Sequence, residues 1–186
     1  AGLEPLPVGE ERRVGGGAGL TALQSTGLGE GWSDFYALAL LSQASDDPNA
    51  AYAFAGYVAY LLSPTFDQNY YFGIRRYPYS TDLTKNPLTF KDIDPTQASS
   101  HPSVPRSPVA GAGGASAVHN QGEVWCSALW DARANLIAKH GFTNGNQLIL
   151  QLVTDGMNLA PPNPNFLQAR DAILPADEIN NGGDNF

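Results

Sequence analysis

Cysteine is almost absent from this chain, and its absence removes several explanations of what the protein does. Cys126 is the single thiol among 186 residues, which excludes an intrachain disulfide framework and any cysteine-ligated metal cluster. Positive charge is scarce too. Ten Lys and Arg stand against 18 Asp and Glu, a formal net charge of -8, and no basic run tracks a phosphate backbone, so no nucleic-acid partner is expected. The longest apolar run, Ala50 to Leu62, is interrupted by Gly56 and is too short to cross a bilayer, so no membrane partner is expected either. No signal peptide and no internal repeat is evident, and a chain that opens on Ala1 reads as a processed or excised piece. Gly15-Gly16-Gly17-Ala18-Gly19 has neither Gly-x-Gly-x-x-Gly register nor a following Gly-Lys-Ser/Thr, so it reads as a loop rather than a phosphate cradle.

What remains is a core-forming chain, 42% hydrophobic, with helical periodicity and no convincing strand ladder. Residues 1–14 read as an irregular arm and residues 15–186 as a single, mainly α domain, interrupted by a loop-rich segment at 65–118. Helices are expected from the Glu30 region to Leu41, from Ala51 to Leu62, from about Glu123 to Lys139 and from Asn146 to about Leu159. A last one is expected from Asn165 to Leu174, capped by Asn163 with Pro164 at its first position. The first two form an expected helical hairpin. On the last, Phe166, Ala169, Arg170 and Ile173 share a face. The prolines at 78, 87, 95, 102, 105 and 108 rule out regular structure between, yet Tyr70-Tyr71-Phe72-Gly73-Ile74-Arg75-Arg76-Tyr77-Pro78-Tyr79 is too aromatic for a disordered linker.

The stretch from Gly27 to Leu41 poses a specific problem. At helical spacing Trp32, Phe35, Tyr36, Ala39 and Leu40 form one apolar stripe, while Glu30 and Asp34 share a second with Ala37, Leu38 and Leu41. A helix apolar on two sides is expected to be buried, and two buried carboxylates need partners from elsewhere in the chain or beyond it. One turn apart, they suit a metal ligand and a group that orients a neighbouring imidazole; they equally suit a first helical turn, where acids offset the dipole. His119, at a glycine-rich helix entry, either polarises a substrate oxygen near neutral pH or caps the helix. Arg75 and Arg76 either clamp a carboxylate or carbonyl, or stack on the surrounding tyrosines. His101, before Pro102, and His140, at a helix C-terminus, read as structural.

Taken together and in order, the motifs resemble the fungalysin family of secreted zinc metalloendopeptidases, relatives of thermolysin. Gly27-Leu28-Gly29-Glu30-Gly31-Trp32-Ser33-Asp34-Phe35 is similar to the family's Gly-x-Gly-Glu-Gly-Trp-Ser-Asp-Phe. Further resemblances are Gly73 to Thr81, Asn86-Pro87-Leu88-Thr89-Phe90, Val118-His119 with Gly122-Glu123-Val124-Trp125, and Asp155-Gly156-Met157 through Asn163-Pro164-Asn165-Phe166 to Ile173. The resemblance implies the helical C-terminal subdomain of a thermolysin-like protease. Glu30 would be the third zinc ligand, Asp34 the acid that orients a zinc-binding histidine, and His119 the histidine that stabilises an oxyanion; Arg75, Arg76 and Tyr77 would line the substrate cleft. Polypeptide substrates and an extracellular location are implied in the same way.

The departure is equally specific. His-Glu-x-x-His occurs nowhere, because His101, His119 and His140 are followed by Pro102, Asn120 and Gly141. Two zinc ligands and the general base must therefore come from an upstream catalytic subdomain, and this chain by itself is expected to be inactive and to hold no stable zinc. The competing reading is a non-catalytic peptide- or protein-binding module descended from such a peptidase.

Overall fold

The computed structural model describes residues 19–62, 67–97, 100–110 and 113–185, so the N-terminal arm and the glycine run up to Ala18 lie outside the described residues. The chain is mainly α. Its helices are α1 Leu23–Leu41, α2 Gly56–Leu62, α3 Asn69–Phe72, α4 Val118–His140, α5 Phe142–Leu159 and α6 Phe166–Asn181, with a 3-10 turn at Phe90–Ile93. Among the described residues, strand pairing is limited to two isolated bridges.

Helix α1 begins earlier than its acids suggest. Glu30 and Asp34 lie about two and three turns in, and the first turn carries no acid. The dipole reading of these carboxylates is thereby overturned, since that interaction fades beyond the first turn. Ala22 offers no side-chain cap, and Asn163 supplies one from the far end of the chain: its Oδ1 accepts the Thr21 and Ala22 N–H groups at 2.9 and 2.8 Å. Asn163 is therefore not the cap of the last helix. That place belongs to Asn165, which forms a reciprocal box with Gln168.

Helices α1 and α4 form the central crossing, and glycines set its depth. A Cβ on Gly27 would lie 2.4 Å from the Gln121 Cβ, one on Gly31 2.6 Å from the Gly122 carbonyl oxygen, and one on Gly122 2.6 Å from the Glu30 Cβ. Without side chains at these three positions the two backbones meet, bringing Glu30 beside the first turns of α4. Around the crossing, Leu28, Phe35, Tyr79, Cys126 and Trp130 are buried, and Trp32 packs edge-on against Trp125 with ring centroids 6.3 Å apart. Burial of α1 is incomplete at its end, where Leu40 and Leu41 are exposed. Helices α5 and α6 complete the packing. Phe166 and Ala169 face inward as expected, but Arg170 is exposed and paired with Asp171; the helix also runs on past Leu174 to Gly182, which closes it in the left-handed conformation.

The expected helix from Ala51 is a second correction. Residues 51–54 lie outside any helix, with bridges at Tyr52 and Phe54, Ala55 turns at a φ of 52°, and only Gly56–Leu62 is helical. Tyr52 exchanges two backbone hydrogen bonds with Tyr79, each 2.9 Å, while Phe54 accepts the Ile74 N–H at 3.0 Å. Tertiary pairing outweighs the helical preference of an alanine-rich segment. The consequence is positional: Arg75 and Arg76 are held between the two bridges, at Gly73 and Tyr79, as part of the core. Gly73 makes the first bridge feasible, with φ of 62° and no Cβ to meet the Phe54 carbonyl oxygen.

Candidate functional site

The partner of the α1 carboxylates is Arg75. Its Nε donates to Asp34 Oδ2 and its Nη2 to Asp34 Oδ1, both at 2.7 Å, and Nη2 also reaches Glu30 Oε2 at 3.1 Å. Fork and carboxylate meet in the bidentate geometry that makes arginine pairs strong. Tyr79 adds a third donor, its hydroxyl 2.5 Å from Asp34 Oδ2. Burial pushes the Asp34 carboxyl up from the ordinary range, and the bonds from Arg75 and Tyr79 pull against it. For Arg75 burial acts downward, but the hydrogen bonds to Asp34 and the surrounding acidic groups Tyr79, Asp34 and Glu123 together outweigh it and hold the guanidinium firmly protonated.

Glu30 is in a different state. Its side chain is 34% exposed, against 1% for Asp34, and its Oε1 has no partner among the described residues. Its other oxygen receives Arg75 and lies 3.5 Å from the Nε2 of His119, whose side chain is 66% exposed. One α1 acid is thus locked into the core, while the other presents a free oxygen on the surface beside an accessible imidazole.

A second buried ion pair aligns α4 with this cluster. Glu123 accepts the Arg76 backbone N–H at 2.6 Å through Oε1 and the Arg76 Nε at 2.5 Å through Oε2, and the Arg76 Nη2 donates to the Asn120 carbonyl at 3.0 Å. Asn120 in turn donates its side-chain amide to the carbonyls of Gly113 and Gly114. The helix therefore starts at Val118, five residues before the expected Glu123, and its first turn is held from two sides with His119 in it. Burial pushes the Glu123 carboxyl up, opposed by Arg76.

Adjacent arginines thus serve different helices: Arg75 meets the acids of α1, Arg76 the acid of α4. The structure brings Glu30, Asp34, Arg75 and His119 together. Arg76 and Tyr77 lie within the same segment but are 5% exposed, with Arg76 committed to Glu123. Sequence reasoning passed over Glu123 and Tyr79 as site members. A signal existed for Glu123, a lone acid beside the apolar run Val124-Trp125-Cys126, but periodicity says nothing about which cation it meets.

Two groups of the cluster have chemistry that suits zinc. Glu30 is a suitable oxygen donor with a free lone-pair face, and His119 stands where an imidazole can reach a group bound to it. Among the described residues, no three His, Cys, Asp or Glu are grouped to hold a metal ion.

Comparison with known proteins places the chain in a class. Residues 9–186 match the fungalysin metallopeptidases (M36). The chain is 39% identical to the extracellular metalloproteinase mep of Aspergillus fumigatus, 37% to extracellular metalloproteinase 2 of Arthroderma gypseum and 37% to extracellular metalloproteinase 10 of Coccidioides posadasii, with 89% of the chain covered in each case. It spans 24% of the length of each of these relatives. The chain belongs to the fungalysin metallopeptidase family.

Proposed function

We propose that this chain is the C-terminal, helical part of a zinc-dependent metalloendopeptidase. It contributes Glu30 as one zinc ligand and His119 as the group facing the oxyanion, and an upstream subdomain carrying His-Glu-x-x-His completes the site. The observation that carries the reading is the contrast between the two acids of α1. Asp34 is buried and bonded to Arg75 and Tyr79, whereas Glu30 keeps an unpartnered oxygen on the surface and lies, through its other oxygen, 3.5 Å from His119.

When bound, zinc supplies the Lewis acidity that activates water and polarises a peptide carbonyl. The chain's own residues do the rest from fixed positions. His119, exposed in the first turn of α4, donates an imidazole N–H to the negative charge developing on the substrate's carbonyl oxygen. Arg75 limits the motion of Glu30 through its Nη2 and anchors itself on Asp34, so the ligand oxygen is presented on a rigid arm. Asp34 has a guanidinium and a phenol within reach, and in the complete enzyme its remaining acceptor capacity orients a zinc-binding histidine. Arg75, Arg76 and Tyr77 underlie the substrate cleft, with Arg76 fixed by its pair with Glu123. Polypeptides are the substrates, and the location is extracellular, as for the relatives named above. No helix among the described residues is long and apolar enough to cross a membrane.

The test uses the full-length natural protein. Glu30→Gln keeps the shape of the side chain and removes its charge, and it is expected to abolish casein hydrolysis and to release zinc measured by elemental analysis. Undiminished hydrolysis, or retention of one zinc per chain, defeats the ligand assignment. A full-length sequence without His-Glu-x-x-His upstream of Ala1 supports the non-catalytic binding module instead.

A further inference from the structure

Far from Glu30, fourteen residues and about 21 Å along α4 from His119, the helix carries a third buried arginine, this one with no carboxylate paired to it. Arg133 is 5% exposed. Its Nε donates to Asn146 Oδ1 at 2.6 Å, and the Asn146 amide is itself oriented by donating to the Ala39 carbonyl at 3.1 Å. The guanidinium lies over Trp130, 4.4 Å from the ring centroid, and faces Phe142 at 5.8 Å. Its buried Nη2 has no hydrogen-bond partner among the described residues, and no carboxylate of those residues lies within ion-pair distance. A charge in that position costs free energy that cation–π contacts only partly offset.

Beside it lies a cavity of about 160 Å³. Its walls include Pro48, Tyr52, Ala134, Ile137 and Phe142, and Arg133 supplies the cationic end. Asp46 also borders the space, and its Oδ2 accepts the Gln43 N–H at 2.8 Å, closing the turn after α1. The Tyr52 hydroxyl is likewise occupied, donating to the Asp47 carbonyl at 2.6 Å, so the tyrosine offers its ring to the space. An apolar chamber with a guanidinium at one end matches a small ligand with a carboxylate head and a short hydrocarbon tail.

We infer that this chamber is a binding site for small apolar monocarboxylates, with Arg133 as the anion receptor, Phe142 and Tyr52 as the aromatic walls, and Trp130 outside the lining as the ring on which the guanidinium rests. The site is independent of the peptidase reading and shares no residue with the Glu30 cluster. Burial also pushes Arg133 down from the ordinary arginine range, a shift that a bound carboxylate reverses. Asp46 is the nearby acid that a bound anion must oppose, and it sets the sign of one diagnostic variant.

The experiment titrates the full-length natural protein with sodium butanoate, followed by calorimetry and by the Arg133 Nε–H resonance. Butanamide, of equal size and no charge, is the control. Saturable binding with a Kd on the order of 1 mM is expected, at least tenfold tighter than for butanamide. Arg133→Gln weakens it at least tenfold, and Asp46→Asn tightens it severalfold by removing the opposing charge. Ala134→Leu narrows the chamber and abolishes binding with Arg133 intact, which decides the matter should Arg133→Gln fail to fold. No saturable binding of butanoate, equal binding of butanamide, or weaker binding by Asp46→Asn overturns the assignment.

Discussion

Replacing Arg75 by methionine isolates the energetics of the α1 cluster. The substitution keeps an unbranched side chain of similar reach and removes both bonds to Asp34 and the contact to Glu30. Asp34 is fully buried, so it is left with the Tyr79 hydroxyl as its remaining side-chain donor among the described residues. Breaking a buried ion pair from one side costs about 3–5 kcal/mol, because the surviving charge has lost its compensation. The protein has one escape, protonating Asp34, and the cost of that escape depends on pH. Burial already raises the Asp34 pKa, and loss of the opposing arginine raises it further. A carboxyl with a raised folded-state pKa contributes stability that is complete below the unfolded value of 3.8 and is lost as pH rises through the folded value. The penalty of Arg75→Met is therefore expected to shrink on acidification from pH 7 to pH 5, by up to about 2.7 kcal/mol at 1.36 kcal/mol per unit. Urea unfolding at the two pH values, followed by fluorescence of Trp32, Trp125 and Trp130, measures both quantities. The double variant with Asp34→Leu removes acid and base together and is expected to recover most of the loss. A penalty below about 1 kcal/mol that is the same at both pH values refutes the account, since 3–5 kcal/mol is its premise.

Two further predictions concern the scaffold. Gly122→Ala places a methyl group 2.6 Å from the Glu30 Cβ and 2.9 Å from both the Gly27 carbonyl oxygen and the Gly31 nitrogen, so backbone must separate. A net loss of about 1–2 kcal/mol is expected after the helix-propensity gain of alanine, and an unchanged or raised melting temperature contradicts the close crossing. At Asn163, with φ of 56°, glycine keeps the left-handed backbone and loses only the cap of α1, whereas alanine loses both. Asn163→Gly is expected to cost about 1 kcal/mol and Asn163→Ala about 1–2 kcal/mol more in chemical denaturation; equal losses argue against a strained backbone there.

Much of the site was legible residue by residue. Glu30, Asp34, His119 and Arg75 were all singled out, because a carboxylate on an apolar stripe and a histidine at a helix entry are local anomalies visible without coordinates. Their pairings were not. Arg75 lies 41 positions from Asp34 and Glu123 lies 47 from Arg76, and helical periodicity cannot say which loop cation crosses to which acid. The helix at Ala51 was misread for the same reason: Tyr52 and Phe54 are extended because Tyr79 and Gly73 lie opposite them. Nor could Asn163 be assigned locally, since the helix it caps is at the other end of the chain.

Sequence alone determined the helical class, the identity of the anomalous acids and the ordered motifs shared with the fungalysin metallopeptidases, because periodicity, composition and short motifs are properties of neighbouring residues. Tertiary structure decided how the acids differ. Glycine-limited contact between α1 and α4 leaves Glu30 at the surface beside His119, and the bridged segment around Arg75 draws Asp34 into the core. Two carboxylates one turn apart on the same helix end in different surroundings because the cation that satisfies one of them is placed by contacts far away in the chain.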